Sequence, residues 1–486
     1  MAALHEVVSE GLLSTTKVTA EEWGQTPQSV QDFVKVLIMR IQALETEVAQ
    51  MREQINRNSG NSSQPPSSDG PSVTKQPPAK ERSGRKRGGQ PGHAGVQRKL
   101  VPIEQVKADF DVRPENCQHC GCKLSGDDPA PDRHQVAEIP PVQEEITEYR
   151  LHTLTCAKCG GETRAKLPNG VPEGGFGPRF QAMTALLSGR YHLSKRDIQG
   201  VMDDFFQAEL GLGSISTLER RTSEAIALPV DEARTYVQSQ PAVNQDETGW
   251  KEGTQKAWLW VAATPWVTVF LIALNRSAAI AKQVLGENFA GILNTDRWSA
   301  YNWLSNTQRQ LCWAHLLRDF QAFIERGGGS QQIGEALLTQ TKLMFAGWHH
   351  LREGEWSRSV FQEYMKPIRQ QVADLLRQGA ACDHKATAGT CRDILKREPA
   401  LFTFVDVENI EPTNNLAERQ IRPGVLWRKG SFGTQSDAGS RFVERIMTVV
   451  STLKQQDRNV LEYLTDACDA ANWARPVPSL VPVNHP

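Results

Sequence analysis

The stretch from Pro241 to Leu274, "PAVNQDETGWKEGTQKAWLWVAATPWVTVFLIAL", decides the fold class. Its apolar residues follow the period of β-strands. The acidic residue Asp246 closes a first strand, "KEGTQ" supplies a turn, and "AWLWVAAT" and "VTVFLIAL" form two more strands joined through Pro265. The pattern therefore predicts a three-stranded meander that carries a carboxylate.

The elements after the meander predict the rest of an α/β core. "SAAIAKQVLG" is typical of a helix capped by Ser277 and stopped by Gly286, and "AGILNTDRWSAY" of a fourth strand with Asp296 near its end. "RQLCWAHLLRDFQAFIER" indicates a short strand that runs into a helix. This order is that of a ribonuclease H-like core, in which Asp246 and Asp296 lie on neighbouring strands. A later helix with a third acid is still required.

Glu418 lies in such a helix, within "NNLAERQIRPGVLWRKGSF" (414–432). We expect a polar cap before "LAERQIR" and an end at Pro423 after about two turns. A simple alternative is a surface ion pair with Arg422, four residues on, which contributes only a few tenths of a kcal/mol. The functional interpretation is that Glu418 binds a divalent cation while nearby cations bind DNA phosphates. Those cations are Arg419, Arg422, Arg428 and Lys429.

Three carboxylates in this order are typical of a site for two Mg²⁺ or Mn²⁺ ions. Such ions activate the attacking oxygen of a phosphodiester reaction and stabilise the leaving oxygen. The interval between Asp296 and Glu418 is long for a ribonuclease H-like core, and its amphipathic patterns predict an inserted helical subdomain. Arg441 and Arg445, in a later helix, are candidates for extending the phosphate contacts.

Length and composition predict several domains in a cytoplasmic protein. A chain of 486 residues is too long for one compact core, and 55 Lys+Arg against 56 Asp+Glu leaves any DNA affinity to local clusters. No apolar run approaches the ~18 residues that span a bilayer, and the start lacks the pattern of a secretory signal. We expect no membrane contact, and association with the nucleoid when the protein is bound to DNA.

An N-terminal heptad pattern predicts a coiled coil and hence a homo-oligomer. The alternative is an amphipathic helix packed on the protein's own body. The seam residues are Val34, Leu37, Ile41, Leu44, Val48, Met51 and Ile55.

A linker rich in Ser, Pro and Gly follows, and its composition predicts a flexible segment. Between Lys75 and Lys99 it carries a net charge of +7. Such a basic arm suits phosphate contacts, which give affinity more than sequence specificity. The alternative is a merely solvated linker. The candidate DNA contacts in it are Lys75, Lys80, Arg82, Arg85, Lys86 and Arg87.

Two Cys-x-x-Cys-Gly sequences predict a structural Zn²⁺ site. Their ligands are Cys117, Cys120, Cys156 and Cys159. Glycine after each pair lets backbone amides turn toward the sulfurs. The alternatives are thiols without a metal, or substitute ligands drawn from Cys122, His119 and His134. The next segment reads as two helices separated by a break, either a helix-turn-helix-like DNA contact or scaffold.

These patterns give a complete set of expected domain boundaries. They are a mobile lead-in (1–30), a coiled coil (31–57), a basic linker (58–100), a zinc-binding module (101–167), a helical domain (178–237), the first part of the ribonuclease H-like core (240–326), a helical insertion (327–410), the C-terminal part of the core (411–466) and a tail (467–486).

From about Val34 to Leu464 the sequence resembles DDE transposases of the insertion-sequence-66 family. The stretches that carry the resemblance are "NSSQPPSSDGP", "GRKRGGQPGHAG", the two knuckles, "DETGW" with "WLWV", "CWAHLLRDF" and "NNLAERQIRPGVLWRKGSFGTQSDAGSRF". The resemblance implies an enzyme that cuts and joins DNA at the terminal inverted repeats of its element and in target DNA. It also implies the triad Asp246, Asp296 and Glu418, and accessory proteins from the same element as partners.

One departure from the family lies beside the second acid, where Arg297 and Trp298 replace the usual glycine and aromatic residue. We expect a stiffer loop or a DNA contact there. Cys312 and His315 resemble a Cys-x-x-His element that supports the fold or DNA strands in other DDE transposases. Two alternative functions remain: a ribonuclease H-like nuclease or resolvase that does not join DNA, and a catalytically inactive, zinc-containing DNA-binding protein.

Overall fold

The computed structural model describes residues 20–58, 62–64 and 99–482. The chain divides into two compact units. The first unit consists of Met1–Gln76 and Ile292–Asn414, and the second unit of Pro77–Gly291 and Asn415–Pro486. Asp296 therefore belongs to the first unit, whereas Asp246 and Glu418 belong to the second.

Helices predominate in the part of the chain that the structure describes. In chain order they are α1 (Ala20–Gln25), α2 (Gln28–Asn56), α3 (Pro178–Gly189), α4 (Lys195–Phe206), α5 (Leu212–Ala225), α6 (Ala227–Gln238), α7 (Ala278–Leu285), α8 (Trp313–Glu325), α9 (Gly328–Arg352), α10 (Arg358–Ala380), α11 (Lys385–Leu395), α12 (Thr403–Asp406), α13 (Asn415–Ser431), α14 (Asp437–Gln455) and α15 (Val460–Asn472).

The strands are β1 (Thr153–Thr155), β2 (Glu162–Arg164), β3 (Ala242–Glu252), β4 (Gln255–Ala263), β5 (Thr268–Ala273), β6 (Ile292–Thr295) and β7 (Arg309–Leu311). Pairing is antiparallel within the second unit and parallel between β6 and β7 in the first. The expected mixed α/β class is confirmed. The ribonuclease H-like assignment stays a prediction.

The meander of the second unit is present, but its first strand is longer than expected. β3 pairs with β4 from Asn244 opposite Ala263 to Glu252 opposite Gln255, so Asp246 lies inside the strand rather than at its end. The turn is correspondingly short, and Gly253 takes a φ of 56° there. The polar residues of "DETGWKE" do not show a strand pattern, although this segment forms a strand. Its cross-strand neighbours in β4 supply the apolar packing.

Helix α14 covers the outer strand of this meander with a polar stripe. Backbone N–H groups of Thr268 and Phe270 donate to the hydroxyls of Thr452 and Thr448, each at 3.1 Å, and the N–H of Ile272 donates to the Glu444 carboxylate. Four helical residues rise about 6 Å, and two strand residues rise about 7 Å, so the two spacings match along the whole contact. The edge of β5 is thereby closed to further pairing.

Two arginines of α14 also point to different partners from those expected. Arg441 donates to the carbonyl of Ile272 at 3.0 Å, and Arg445 donates to the carbonyl of Ser223 at 3.0 Å. These contacts join α14 to β5 and to α5. Both guanidinium groups therefore join elements of the second unit, and phosphate contacts along α14 stay a prediction.

The region expected to form two helices contains four. Helix α4 begins at a capping box, in which Ser194 and Asp197 exchange hydrogen bonds with each other's backbone. Helix α5 follows Gly211, so Ser216 and Thr217 lie inside it. Helices α3, α4 and α5 pack around a small core formed by Ile198, Met202, Leu210, Ile215 and Leu218.

The interval between α8 and α13 in the first unit is helical, as its amphipathic patterns predict. It contains α9, α10, α11 and the short α12. Trp348 packs edge-on against Phe404 with ring centroids 5.5 Å apart, and the Trp313 indole donates to the carbonyl of Leu401 at 2.7 Å. An aromatic core thus joins this interval to the start of α8.

The N-terminal helix is present, and its apolar seam is exposed. α2 runs for 29 residues. Along it Leu37, Ile41, Leu44 and Val48 are each between 41% and 54% exposed. The expected helix is therefore found, whereas a coiled coil requires a second chain and stays a prediction. The described part of the lead-in is also helical, as α1.

The C-terminal part differs from expectation at two points. α13 continues through Pro423 to Ser431, so the proline does not end it. α15 continues to Asn472, past the expected start of the tail, and the Tyr463 hydroxyl then donates to the carbonyl of Pro478 at 2.7 Å. Among the described residues, no helix combines the length and the apolar character needed to cross a bilayer.

Candidate active site

Asp246 lies on β3 opposite Val261, and its Oδ1 accepts the N–H of Glu247 at 2.9 Å. Successive strand residues point to opposite faces, so the two neighbouring acids point apart. Glu247 has a side chain only 1% exposed and forms an ion pair with Arg276. The adjacent acids in "DETGW" therefore have different surroundings, and the role of Glu247 as a buried ion-pair partner was missed by sequence reasoning.

Asp296 follows β6 and is held by its neighbours in the first unit. Its Oδ1 accepts the N–H of Trp298 at 2.8 Å. Its backbone carbonyl accepts a hydrogen bond from Arg309 at 3.1 Å. Arg309 is 1% exposed, and burial lowers the pKa of its guanidinium to about 10, which leaves it charged at neutral pH. A buried cation thus fixes the backbone that carries Asp296.

Cys312 joins three parts of the first unit. It precedes α8, its N–H donates to the carbonyl of Thr295 at 2.8 Å, and its Sγ accepts the N–H of Asn414 at 3.1 Å. These contacts favour a fold-supporting role. For His315, burial and then the nearby charge of Arg318 lower the pKa to about 4, so its imidazole is neutral at pH 7.

The segment that leads to the Glu418 helix is bound to β6. The side-chain amide of Asn294 donates to the carbonyls of Glu411 and Thr413, at 2.8 and 3.0 Å. Asn294 is 4% exposed, so these bonds satisfy two carbonyls beside a buried strand. The last residues of the first unit are therefore hydrogen-bonded to Asn294, two positions before Asp296.

In the second unit, α13 runs along the meander in the same direction as β3. Gly424 approaches Leu259 of β4, which pairs with Thr248. Further along, Arg428 donates to Thr248 at 3.3 Å and to the carbonyl of Gly249. After the helix, Thr434 pairs in parallel with Glu252. Glu418, in the first turn of α13, therefore lies toward the same end of the meander as Asp246.

The continuation of α13 past Pro423 has a physical reason in these contacts. Proline removes one backbone hydrogen bond and crowds the preceding turn. Close packing of Gly424 on the meander and the hydrogen bonds of Arg428 stabilise the second half of the helix and offset that cost. The local rule that proline ends a helix is thus overridden by tertiary contacts.

The four cations around Glu418 are not equivalent. Arg419, Arg422 and Lys429 are exposed, whereas Arg428 is half-buried against β3. Burial lowers the pKa of Arg428. The structure therefore favours Arg419, Arg422 and Lys429 over Arg428 as phosphate contacts.

The two knuckles form as separate turns in the second unit. In the first, the Cys117 N–H donates to the carbonyl of Cys122 at 2.8 Å. In the second, the Cys156 N–H donates to Gly161 at 2.9 Å, and β1 and β2 pair around it. Backbone hydrogen bonds, from His119 for Cys117 and from Cys159 for Cys156, lower the pKa of each thiol.

Within residues 99–482, the four thiols do not gather at ligand distances from one another. Each knuckle brings its own pair together, and a donor set of four thiols fits Zn²⁺ chemically. The basic arm lies outside the described residues. This applies to Lys75, Lys80, Arg82, Arg85, Lys86 and Arg87.

Sequence reasoning also missed a basic cluster in the second unit. The rings of His192 and Trp427 stack with centroids 4.7 Å apart. Burial and then the charge of Lys454 lower the pKa of His192, and burial and then Arg190 lower the pKa of Lys454. These residues come from distant parts of the chain, so no local spacing indicates them.

The comparisons with known proteins identify the family. Residues 173–441 match the family described as "Transposase IS66 family", a range that includes Asp246, Asp296 and Glu418. The chain belongs to this family. The resemblance drawn from the sequence is confirmed, and membership of the IS66 family supports a transposase function in general terms.

Two further matches add less. Residues 19–99 match a family of unknown function, DUF6444. The "Uncharacterized protein y4qI" of Sinorhizobium fredii (strain NBRC 101917 / NGR234) is 30% identical over 257 residues, which cover 48% of this chain and 47% of that protein. The IS66-family chain thus spans about half the length of the curated relative that it matches.

Proposed function

We propose that this chain is a DNA transposase that binds the terminal inverted repeats of its element and catalyses metal-dependent cleavage and strand transfer. Asp246, Asp296 and Glu418 are the proposed triad. Membership of the IS66 family supports the reaction class. The observation that carries the residue assignment is the packing of the Glu418 helix along the meander that carries Asp246.

In the first unit, the anchoring acts on the segment before α13. Asn294 binds Glu411 and Thr413, and Cys312 binds Asn414. Glu418 follows Asn414 by four residues, a helical rise of only about 6 Å. These hydrogen bonds therefore fix the segment of the first unit that leads into α13.

In the second unit, the anchoring acts on the helix itself. The contact of Gly424 with Leu259 lies opposite Thr248. Glu418 precedes Gly424 by about 9 Å of helix, and Asp246 precedes Thr248 by about 7 Å of strand. These similar lengths, measured in the same direction, support a position for Glu418 near Asp246.

The chemistry of the donor set fits two divalent ions. Mg²⁺ and Mn²⁺ prefer carboxylate oxygens, and a bound pair of ions would supply charge neutralisation for the phosphodiester. The three acids hold the ions. Exposed Arg419, Arg422 and Lys429 bind flanking phosphates and orient the strand, since this reaction depends mainly on positioning and charge.

The other parts of the chain bind DNA and assemble the complex in this proposal. The basic arm binds double-stranded DNA, the two knuckles share one Zn²⁺, and the exposed seam of α2 pairs with a second copy of the chain. Accessory proteins of the element are further partners. The protein acts in the cytoplasm and associates with the nucleoid when bound to DNA.

The triad is tested by cleavage of inverted-repeat DNA with Mg²⁺ or Mn²⁺. We expect Asp246→Ala, Asp296→Ala and Glu418→Gln to abolish cleavage while they still bind DNA. Glu411→Gln is the matched control, because Glu411 is an exposed acid near Glu418 that contributes its backbone carbonyl, not its carboxylate, to Asn294. Equal activity of wild type and the triad variants would overturn the assignment.

A strand-transfer assay separates the proposal from its alternatives. A transposase joins the freed 3′ end to target DNA, whereas a nuclease or resolvase without joining activity releases cut ends only. A catalytically inactive zinc-containing protein would bind the repeat and leave it uncut. Cut ends without joined product therefore favour the nuclease.

A further inference from the structure

Arg297, directly after Asp296, is clamped between two carboxylates of the first unit. Its Nη2 donates to Asp319 of α8 at 2.7 Å, and its Nη1 donates to Asp393 of α11 at 2.6 Å. The Arg297 side chain is only 20% exposed. Charge-assisted bonds to two separate helices fix this residue far more firmly than a glycine could be fixed.

The clamp continues through a closed series of contacts back to Asp296. Asp393 also pairs with Arg397, whose guanidinium donates to Asn302 at 3.2 Å. The same oxygen of Asn302 accepts from Arg309 at 3.3 Å, and Arg309 donates to the carbonyl of Asp296 at 3.1 Å. Asp296 is thus held on both sides, by the residue after it and through its own carbonyl.

These contacts bear on the two roles expected for Arg297, a stiffer loop and a contact with DNA. Both terminal nitrogens of its guanidinium donate to carboxylates, and Arg297, Asp319, Asp393 and Arg397 together carry no net charge. A guanidinium that is already paired with two carboxylates attracts a phosphate less strongly than an unpaired one. The two ion pairs thus favour the stiffer loop over a DNA contact.

We propose that Arg297 is a positioning residue, which acts with Asp393 to hold the Asp296 carboxylate in the geometry that binds a divalent ion. The helical insertion thereby has a function: α11 carries the acid that fixes the second member of the triad. This inference rests on the proposed function, because it assumes that Asp296 is a metal ligand. Partners that orient a metal ligand typically change metal affinity by 10- to 100-fold when mutated.

The experiment compares Arg297→Gln, Asp393→Asn and the double variant in the full-length protein. The first readout is the affinity of the protein for Mn²⁺ in the absence of DNA, measured by electron paramagnetic resonance. The second is the Mn²⁺ concentration that gives half-maximal cleavage. We expect each single variant to weaken both roughly tenfold, with the maximal rate largely recovered at high Mn²⁺. The double variant should bind Mn²⁺ as tightly as each single variant, because the two residues act as one unit.

A matched control uses another ion pair of the insertion. Nη2 of Arg369 in α10 lies 2.9 Å from Oδ1 of Asp406 in α12, so Asp406→Asn breaks an ion pair of similar geometry. We expect it to leave Mn²⁺ binding unchanged. Arg297→Lys can reach only one of the two acids, so its affinity for Mn²⁺ should lie between those of wild type and Arg297→Gln. This variant replaces Arg297→Gln in the comparison if the latter fails to fold.

Two outcomes overturn the inference. One is Mn²⁺ affinity in Arg297→Gln or Arg297→Lys equal to wild type, even where the melting temperature falls. The other is equal weakening by Asp406→Asn. Failure of the proposed function is a different result, since a wild-type protein that binds Mn²⁺ but never cleaves DNA still permits the binding comparison. Wild type that binds no Mn²⁺ overturns both.

Discussion

A Cβ atom at Gly424 would lie 2.3 Å from Cδ2 of Leu259, closer than real contacts allow, and 3.1 Å from Cε of Met447. The absence of a side chain therefore lets α13 lie directly on the meander. Because α13 also carries Glu418, this close approach links the packing of the second unit to the proposed site.

Gly424→Ala should destabilise the protein although alanine favours helices. The added methyl forces Leu259 or the helix to move, and such overpacking costs about 1–3 kcal/mol. Gly430 is the matched control, because it lies in the same helix and, among the described residues outside its own helical turn, no atom lies within 4 Å of the place that a Cβ would take. Gly430→Ala should be neutral or stabilising by about 0.5–1 kcal/mol. Denaturant unfolding measures both, and equal effects would contradict the packing argument.

The pH dependence of stability should carry the signature of Glu444. Burial raises its pKa to about 7, from an ordinary value of 4.5, although Arg441 partly opposes the shift. Between these values the folded protein retains a proton that the unfolded chain has lost. Stability should therefore fall as the pH rises from about 4.5 to 7, and this contribution should level off above pH 7.

Glu444→Gln tests this because an amide oxygen still accepts the N–H of Ile272 without carrying a charge. The variant should lose this part of the pH dependence and equal or exceed the wild-type free energy of unfolding at pH 8. Urea unfolding at several pH values between 5 and 8 provides the comparison. An unchanged slope would mean that another group titrates in this range.

The elements of this fold could largely be predicted because strand and helix periodicities are local. The meander and the helices of the insertion follow from them. Asp246 was placed at a strand end only because polar residues surround it, whereas pairing with β4 continues to Glu252. The prediction at Pro423 was wrong for a similar reason, since contacts of Gly424 with a distant strand outweigh a local rule.

The surroundings of the candidate site could not be predicted in the same way. The order of the acids suggests which residues act, and that assignment stays a prediction. The hydrogen-bond partners of these residues could not be predicted, because Arg297 and Asp393, for example, are 96 positions apart in the sequence. The partners of Arg441 and Arg445, the carbonyls of Ile272 and Ser223, are likewise far away in the sequence.

Zinc content should depend on both knuckles. The double variant Cys117→Ser with Cys156→Ser should lose about one zinc per chain, because structural sites need four ligands. Cys382→Ser is the control, as Cys382 is a half-buried thiol in the helical insertion. Elemental analysis of protein purified without added metal measures the loss. Retention of zinc by the double variant would refute the site, and loss on Cys122→Ser would reveal a substitute ligand.

The basic arm should dominate the salt dependence of DNA binding. It carries a net +7 between Lys75 and Lys99, and each neutralised phosphate contributes about 0.9 to the slope of log affinity against log salt. Replacing its Lys and Arg residues by Gln should flatten that slope by as much as roughly six, whereas a scrambled arm of equal composition should keep it. Fluorescence anisotropy over a salt series distinguishes them. A slope that survives the replacement would assign the arm to a solvated linker.

The cations around Glu418 should separate into two classes by the same measurement. Arg419 and Arg422 are exposed, so the double change to Gln should lower the salt slope by about two, with little loss of folding stability. Arg428 donates to Gly249 and Thr248, so Arg428→Gln should instead lower the free energy of unfolding and leave the slope unchanged. Because the three positions lie in one helix, differences between them report side-chain direction rather than location. A slope lowered equally by Arg428→Gln would mean that its guanidinium leaves β3 to bind DNA.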